Sequence, residues 1–195
     1  MKKNIRNIIS KVKKNGYGVL PGVLSKKYCG RVINKLEKIL KILKKRKKYF
    51  GSHKNQVIYN YFYHDINLIN LVCNKYIDKV MTELIDEDYV LISPAARNPR
   101  LLDDKTIGKK TSGFGWHVDS RVTDKNNNSL LKPSINFFAI IVLEDFTNYN
   151  AATKYVPNSH KFYKKPINRN QKIKFKNMTA ETGSIIFLDT ALWHS

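Results

Sequence analysis

Two cysteines, few acidic residues and no long apolar run set the limits on what this chain of 195 residues can be. Cys29 and Cys73 lie far apart and form no C-x-x-C pattern, which excludes a disulfide framework and a thiolate zinc site. The longest apolar run, residues 137–143, is far short of the roughly 20 residues a membrane helix needs. Near the amino terminus Ile5, Ile8 and Ile9 are interrupted by Arg6, Asn7 and Ser10, so there is no continuous stretch of signal-peptide type. These absences point to a soluble, cytoplasmic protein with one domain large enough to bury its own core.

Acidic side chains number 15 against 36 lysines and arginines, a formal charge of +21. Such a surface attracts phosphate backbones through counterion release. The cations, however, are 29 Lys and only 7 Arg, scattered over the chain, and Lys, Asn and Ile together make 69 of the 195 residues. All three have adenine- and thymine-rich codons. Nucleic-acid sites favour clustered arginine and interleaved aromatics, so nucleic acid is not the expected partner, whereas a small anionic substrate suits the charge.

Against this background stand His117-Val118-Asp119 and, one residue from the end of the sequence, His194. Two imidazoles and one carboxylate form the ligand set of a facial-triad non-haem iron site, which leaves positions open for a cosubstrate and oxygen. Side chains alternate along a strand, so His117 and Asp119 point the same way and a neighbouring strand can supply the third ligand. An H-x-D pair alone is a weak signal, and its context has to carry it.

That context is helical first and β later. Residues 16–24 read as a strand and turn, Ser25 as a helix N-cap, and Val32, Leu36, Ile39, Leu40 and Leu43 as one face of a helix fading at residues 44–48. Residues 56–63 are β-prone. A second helix is expected over about 67–86, with Ile69, Val72, Tyr76, Val80 and Leu84 on one face, then a strand over 89–93 ended by Pro94. Residues 135–143 are too apolar on both faces for a surface strand and are expected at the centre of a sheet. Residues 183–194 read as a glycine-started strand carrying His194. The expectation is an α+β fold in one domain, with a helical part over about 1–88 and a jelly-roll core over about 89–195.

The same landmarks resemble the phytanoyl-CoA dioxygenase-like branch of the Fe(II)/2-oxoglutarate-dependent oxygenases over nearly the whole chain. Residues 18–24 before a charged helix look like the family's opening, and Gly115-Trp116-His117-Val118-Asp119 like its metal motif. Residues 142–147, then Asn150-Ala151-Ala152, then Tyr155-Val156-Pro157-Asn158-Ser159-His160-Lys161 look like its central strand, turn and P-G-S-H-K loop. Residues 183–189 ending in His194 look like its G-D-x-x-x-F-D strand and distal histidine. Asn158 stands where the family has glycine and is the residue that best replaces it in a left-handed conformation. Ala151 replaces another glycine and predicts a different turn there.

The resemblance implies a double-stranded β-helix (jelly-roll or cupin-like) barrel buttressed by the amino-terminal helices. It implies His117, Asp119 and His194 as ligands of Fe(II), with 2-oxoglutarate and O2 as cosubstrates, Asn136 reaching the 2-oxoglutarate, and hydroxylation of a small organic or acyl substrate. In related halogenating enzymes a small residue replaces the carboxylate, so Asp119 argues for hydroxylation. The family anchors 2-oxoglutarate on an arginine about one strand beyond the second histidine. That position falls after Ser195, so the chain is expected to be C-terminally truncated with its last strand missing. Trp116 and Trp193 are expected to face away from the metal, and His160 to stabilise its turn. Substrate selectivity is expected in loops 98–112 and 121–133, with Lys105, Lys109, Lys110 and Arg121 as candidates for an anionic group. The competing expectation is a catalytically inactive basic β-sandwich that binds a polyanion such as nucleic acid.

Overall fold

In the computed structural model, residues 2–46, 50–52, 55–99, 115–120, 122–124, 129–149, 152–168 and 172–195 are described. Ile5, Ile8, Ile9 and Val12 fall on one stripe of a 3.6-residue period, and helix α1 (Lys2–Asn15) buries that stripe. The chain then reverses into β1 (Tyr17–Leu20) and enters α2 (Lys26–Lys45), where the Ser25 side chain accepts from the Tyr28 amide at 3.2 Å as the N-cap. Strands β2 (Phe50–Ser52) and β3 (Asn55–Tyr59) follow, then two short 3-10 turns, a single turn α3 (Ile69–Val72) and α4 (Lys75–Leu84). The continuous helix expected over 67–86 is therefore broken. Asn74 takes an extended conformation and its side chain accepts from the Tyr76 amide at 2.9 Å, which starts a new helix at that point.

The strand expected over 89–93 lies later, at β4 (Ala95–Pro99), antiparallel to β3 with Val57 opposite Arg97 and Ile58 opposite Ala96. Pairing in this register begins at Ala95, and Val90, Leu91 and Ile92 stay exposed. Then come β5 (Phe137–Ile141), β6 (Lys154–Tyr155), β7 (Lys176–Asn177) and β8 (Ile185–Asp189). Among the described residues all strand pairs are antiparallel, in sheets of order β1-β8-β5, β2-β3-β4 and β6-β7. The fold is α+β.

Among the described residues the central strand of the first sheet is β8, and β5 lies at its edge, contrary to the expectation for 135–143. Both faces of β5 meet apolar layers in part, although Phe138 is exposed. Ala139 and Ile141 pack toward α1 and α4, and Ile140 packs toward the opposite layer. Along β8 the same alternation sends Ile185 and Phe187 to the helices and Ile186 and Leu188 to Val142, Tyr155, Met178 and Leu192. A strand buried this completely is stabilised by about 1.5–3 kcal/mol per large apolar side chain.

Its start is fixed by Gly183, at φ +87°, whose carbonyl accepts from the amides of Val23 and Leu24, both at 2.9 Å. A Cβ there would stand 2.0 Å from the Leu24 carbonyl oxygen, so only glycine fits. Ala151 and the loop cations Lys105, Lys109, Lys110 and Arg121 lie outside the described residues. Among those described, no helix is long and apolar enough to cross a membrane.

Candidate metal centre

The sequence suggests that His194 rides on the last strand, but β8 stops at Asp189 and a tight turn intervenes. The Asp189 carboxylate accepts from the Ala191 amide at 2.8 Å, and the Leu192 amide donates to the Asp189 carbonyl at 3.0 Å. This is the local bonding by which aspartate turns a chain. Burial pushes the Asp189 carboxyl up from its ordinary value, against the opposing effect of the Ala191 and Ser134 hydrogen bonds.

Thr190, fully buried, is the clamp of the turn. Its hydroxyl and amide donate to the Asn136 carbonyl at 2.9 and 3.3 Å, while its own carbonyl accepts from the amides of Asp119 and Ser120 at 2.9 and 3.1 Å. One residue thus ties β8, the entry to β5 and the H-x-D segment together. Asn136 joins the site through this backbone carbonyl.

Past the turn, residues 193–195 run antiparallel between the H-x-D segment and β6. His117 and His194 exchange amide-to-carbonyl bonds at 3.0 Å each, and on the other side Val156 donates to the Trp193 carbonyl at 2.9 Å. His194 lies directly opposite both His117 and Tyr155, so the three side chains share one face. Trp116, Trp193, Val118 and Val156 pack together on the other face, the outer layer expected for the two tryptophans. The inner face carries the candidate ligands. The imidazole centroids of His117 and His194 are 4.3 Å apart, His194 Nε2 is 3.0 Å from Asp119 Oδ2, and one ligand atom from each of the three residues lies within 4.8 Å of the others.

The tautomers are set by the backbone. His117 Nδ1 is 2.8 Å from the Gly115 carbonyl, and His194 Nδ1 is 2.8 Å from the Leu192 carbonyl. A carbonyl only accepts, so each Nδ1 must carry its proton and donate. In a neutral His194 the Nε2 lone pair then meets a carboxylate oxygen, two acceptors at 3.0 Å. Such a pair calls for a positive charge, either a second proton on the ring or a cation bound by both atoms. Two cis ligands on a metal at about 2.1 Å sit about 3 Å apart, which matches the observed separation. The donor set and its spacing therefore fit a metal ion.

The Asp119 carboxyl is held below the usual range first by its hydrogen bond to His194, then by the charges of His117 and Arg97, with burial opposing. His160 lies apart from the triad, as expected for a turn residue. It is buried, with Nε2 donating to the Lys13 carbonyl at 3.3 Å, and it follows Asn158, whose φ of 63° is the left-handed conformation predicted for that position. Thr190 and the carbonyls of Gly115 and Leu192 were not legible as site residues, since a carbonyl has no sequence signature. An aspartate directly after an apolar strand was the available hint of the turn.

The family model described as phytanoyl-CoA dioxygenase (PhyH) matches residues 12–195. No curated protein matches the chain. Among solved structures, HygX from Streptomyces hygroscopicus with nickel and 2-oxoglutarate bound is similar at 15% identity and TM-score 0.69, over 97% of this chain and 78% of that one. The epimerase SnoN, in complex with Fe3+, alpha ketoglutarate and nogalamycin RO, is similar at 13% identity and TM-score 0.67, over 100% of this chain and 77% of that one. SnoK, an alpha ketoglutarate-dependent carbocyclase from nogalamycin biosynthesis, is similar at 14% identity and TM-score 0.56, over 97% of this chain and 76% of that one. At these identities the likeness is one of fold.

Proposed function

This chain belongs to the phytanoyl-CoA dioxygenase family, and on that premise we propose that it is an Fe(II)- and 2-oxoglutarate-dependent dioxygenase that hydroxylates a small organic or acyl substrate. His117 Nε2, His194 Nε2 and the Asp119 carboxylate would hold the metal. The observation that carries this reading is His194 Nε2 held 3.0 Å from Asp119 Oδ2 beside a second imidazole, with the Nδ1 atoms of both rings committed to carbonyls. HygX, SnoN and SnoK support the cofactor assignment, because each is a structure of this fold described with 2-oxoglutarate or as dependent on it. When bound, the group supplies oxidative decarboxylation: one oxygen atom of O2 enters succinate, the other enters the substrate as hydroxyl, and carbon dioxide leaves.

The chain's own residues do the placing. Thr190 fixes the backbone of Asp119 relative to β8, the Gly115 and Leu192 carbonyls aim both Nε2 atoms inward, and the Trp116 and Trp193 layer closes the outer face against water. The neighbours include an epimerase and a carbocyclase, so the outcome of oxidation differs within this fold; the carboxylate at Asp119 favours hydroxylation over halogenation. The two β layers serve as the walls of a jelly-roll barrel, with α1 and α4 against its outer side, in a single domain. Free thiols at Cys29 and Cys73 support a reducing, cytoplasmic setting. The test is succinate release. Anaerobically loaded chain given Fe(II), 2-oxoglutarate and then O2 should form succinate above the level of His117→Ala, and equal rates in the two proteins would refute the assignment.

A further inference from the structure

The ladder between residues 193–195 and β6 has one irregular rung. Lys154 and Ser195 exchange two direct amide-to-carbonyl bonds, at 2.9 and 3.0 Å, and antiparallel pairing repeats such an exchange two residues along, at Val156 and Trp193. Only half of it is direct there, from the Val156 amide to the Trp193 carbonyl at 2.9 Å. The other half runs through a side chain. The Trp193 amide donates to Ser159 Oγ at 2.8 Å, and the same hydroxyl donates to the Val156 carbonyl at 2.8 Å. Ser159 is fully buried, and its turn is itself anchored, since His160 Nε2 donates to the Lys13 carbonyl of α1 at 3.3 Å.

The Trp193 amide belongs to the same peptide unit as the Leu192 carbonyl, and that carbonyl accepts from His194 Nδ1 at 2.8 Å. A peptide unit is planar, so the bond that fixes its N–H also fixes the direction of its C=O. A continuous series of bonds therefore runs from the Val156 carbonyl through Ser159 and the 192–193 peptide to the imidazole, whose Nε2 is left 3.0 Å from Asp119 Oδ2. Donation by the N–H also polarises the C=O and strengthens it as the acceptor that holds Nδ1. We propose that Ser159 is a positioning residue, which through the 192–193 peptide sets the orientation of the His194 imidazole as a metal ligand. The inference rests on the oxygenase reading for the metal, whereas the orientation of the ring requires none.

The experiment compares the two imidazoles of the metal-free chain by nitrogen-resolved magnetic resonance, with the His117 signals assigned from their loss in His117→Ala. In Ser159→Ala the Nδ1 proton of His194 should exchange with solvent at least about tenfold faster, while that of His117, held by the Gly115 carbonyl, should change by less than about twofold. Calorimetry on the folded protein should then show Ni(II) affinity reduced about tenfold. Ser159→Cys, whose thiol is a weak donor and acceptor, should give a smaller acceleration at His194 alone, and it carries the same test if the alanine variant does not fold. Unchanged exchange at His194 would overturn the proposal. Equal acceleration at both imidazoles would overturn it as well, since Ser159 would then be a general structural link. A wild-type chain that took up no Ni(II) would refute the oxygenase reading, and the exchange measurement would still decide on Ser159.

Discussion

Two regions built around the same strand behave differently. Toward the helices, β8 presents Ile185 and Phe187 to Ile5, Ile8, Val12, Val80 and Met81, a dry cluster in which the two β8 side chains are fully buried. Five residues past its end, at His194, the candidate metal centre is a ladder of single bridges, held by backbone hydrogen bonds and open on the Asp119 side. Stability is concentrated in the first region, and the second borrows its geometry through the Thr190 turn. The two groups share no side chain, so each is expected to be damaged with little effect on the other.

The sharpest way to break the comparison is Phe187→Ala. Loss of a fully buried aromatic should cost about 3–5 kcal/mol in denaturant unfolding while leaving the metal affinity of the remaining folded protein nearly unchanged. The reverse case is His117→Ala, for which calorimetry should show metal affinity reduced by more than about a hundredfold with unfolding shifted by under about 1 kcal/mol. Equal effects of either substitution on both readouts would mean that the two regions are one unit.

Thr190→Val tests the link between them. It keeps the side-chain volume but removes the hydroxyl bond to the Asn136 carbonyl, so about 1 kcal/mol of stability and up to about tenfold in metal affinity should be lost together.

The smallest effect concerns pH. His160 is buried under Gly16, where an added Cβ would meet its Nδ1 at 2.7 Å, and desolvation lowers its pKa, against the hydrogen bond to Lys13 and the nearby Asp189 charge. The unfolded chain takes up a proton near the ordinary value of 6.5 and the folded chain does so only at lower pH. The His160 contribution is thus intact above that value and lost as pH falls through the folded pKa. Unfolding free energy should drop more between pH 7 and pH 5 in wild type than in His160→Asn, and parallel profiles would contradict this.

How much of this was legible depends on which forces act locally. Ser25 and Asn158 announce a cap and a left-handed turn through side-chain chemistry, and each stands where that chemistry predicts, while Gly183, read as the start of a strand, proves also to be a close backbone approach. The H-x-D pair and His194 were legible as a ligand set from donor type, and the structure brings them together. Helix α1 is written in the period of Ile5, Ile8, Ile9 and Val12, a stripe that the intervening Arg6, Asn7 and Ser10 hide from any search for a continuous apolar run. The displacement of the 89–93 strand to β4 had another cause: Val90, Leu91 and Ile92 have the higher β propensity, but cross-strand register decides the pairing.

The most direct test of the central claim is a crystal structure grown with Ni(II), read for the atoms that touch the ion. The account predicts one metal per chain, bound through Nε2 of His117, Nε2 of His194 and a carboxylate oxygen of Asp119, with both Nδ1 atoms still donating to the Gly115 and Leu192 carbonyls. A chain that holds no metal there, or binds it through other residues while His194 remains paired with Asp119 alone, would contradict it.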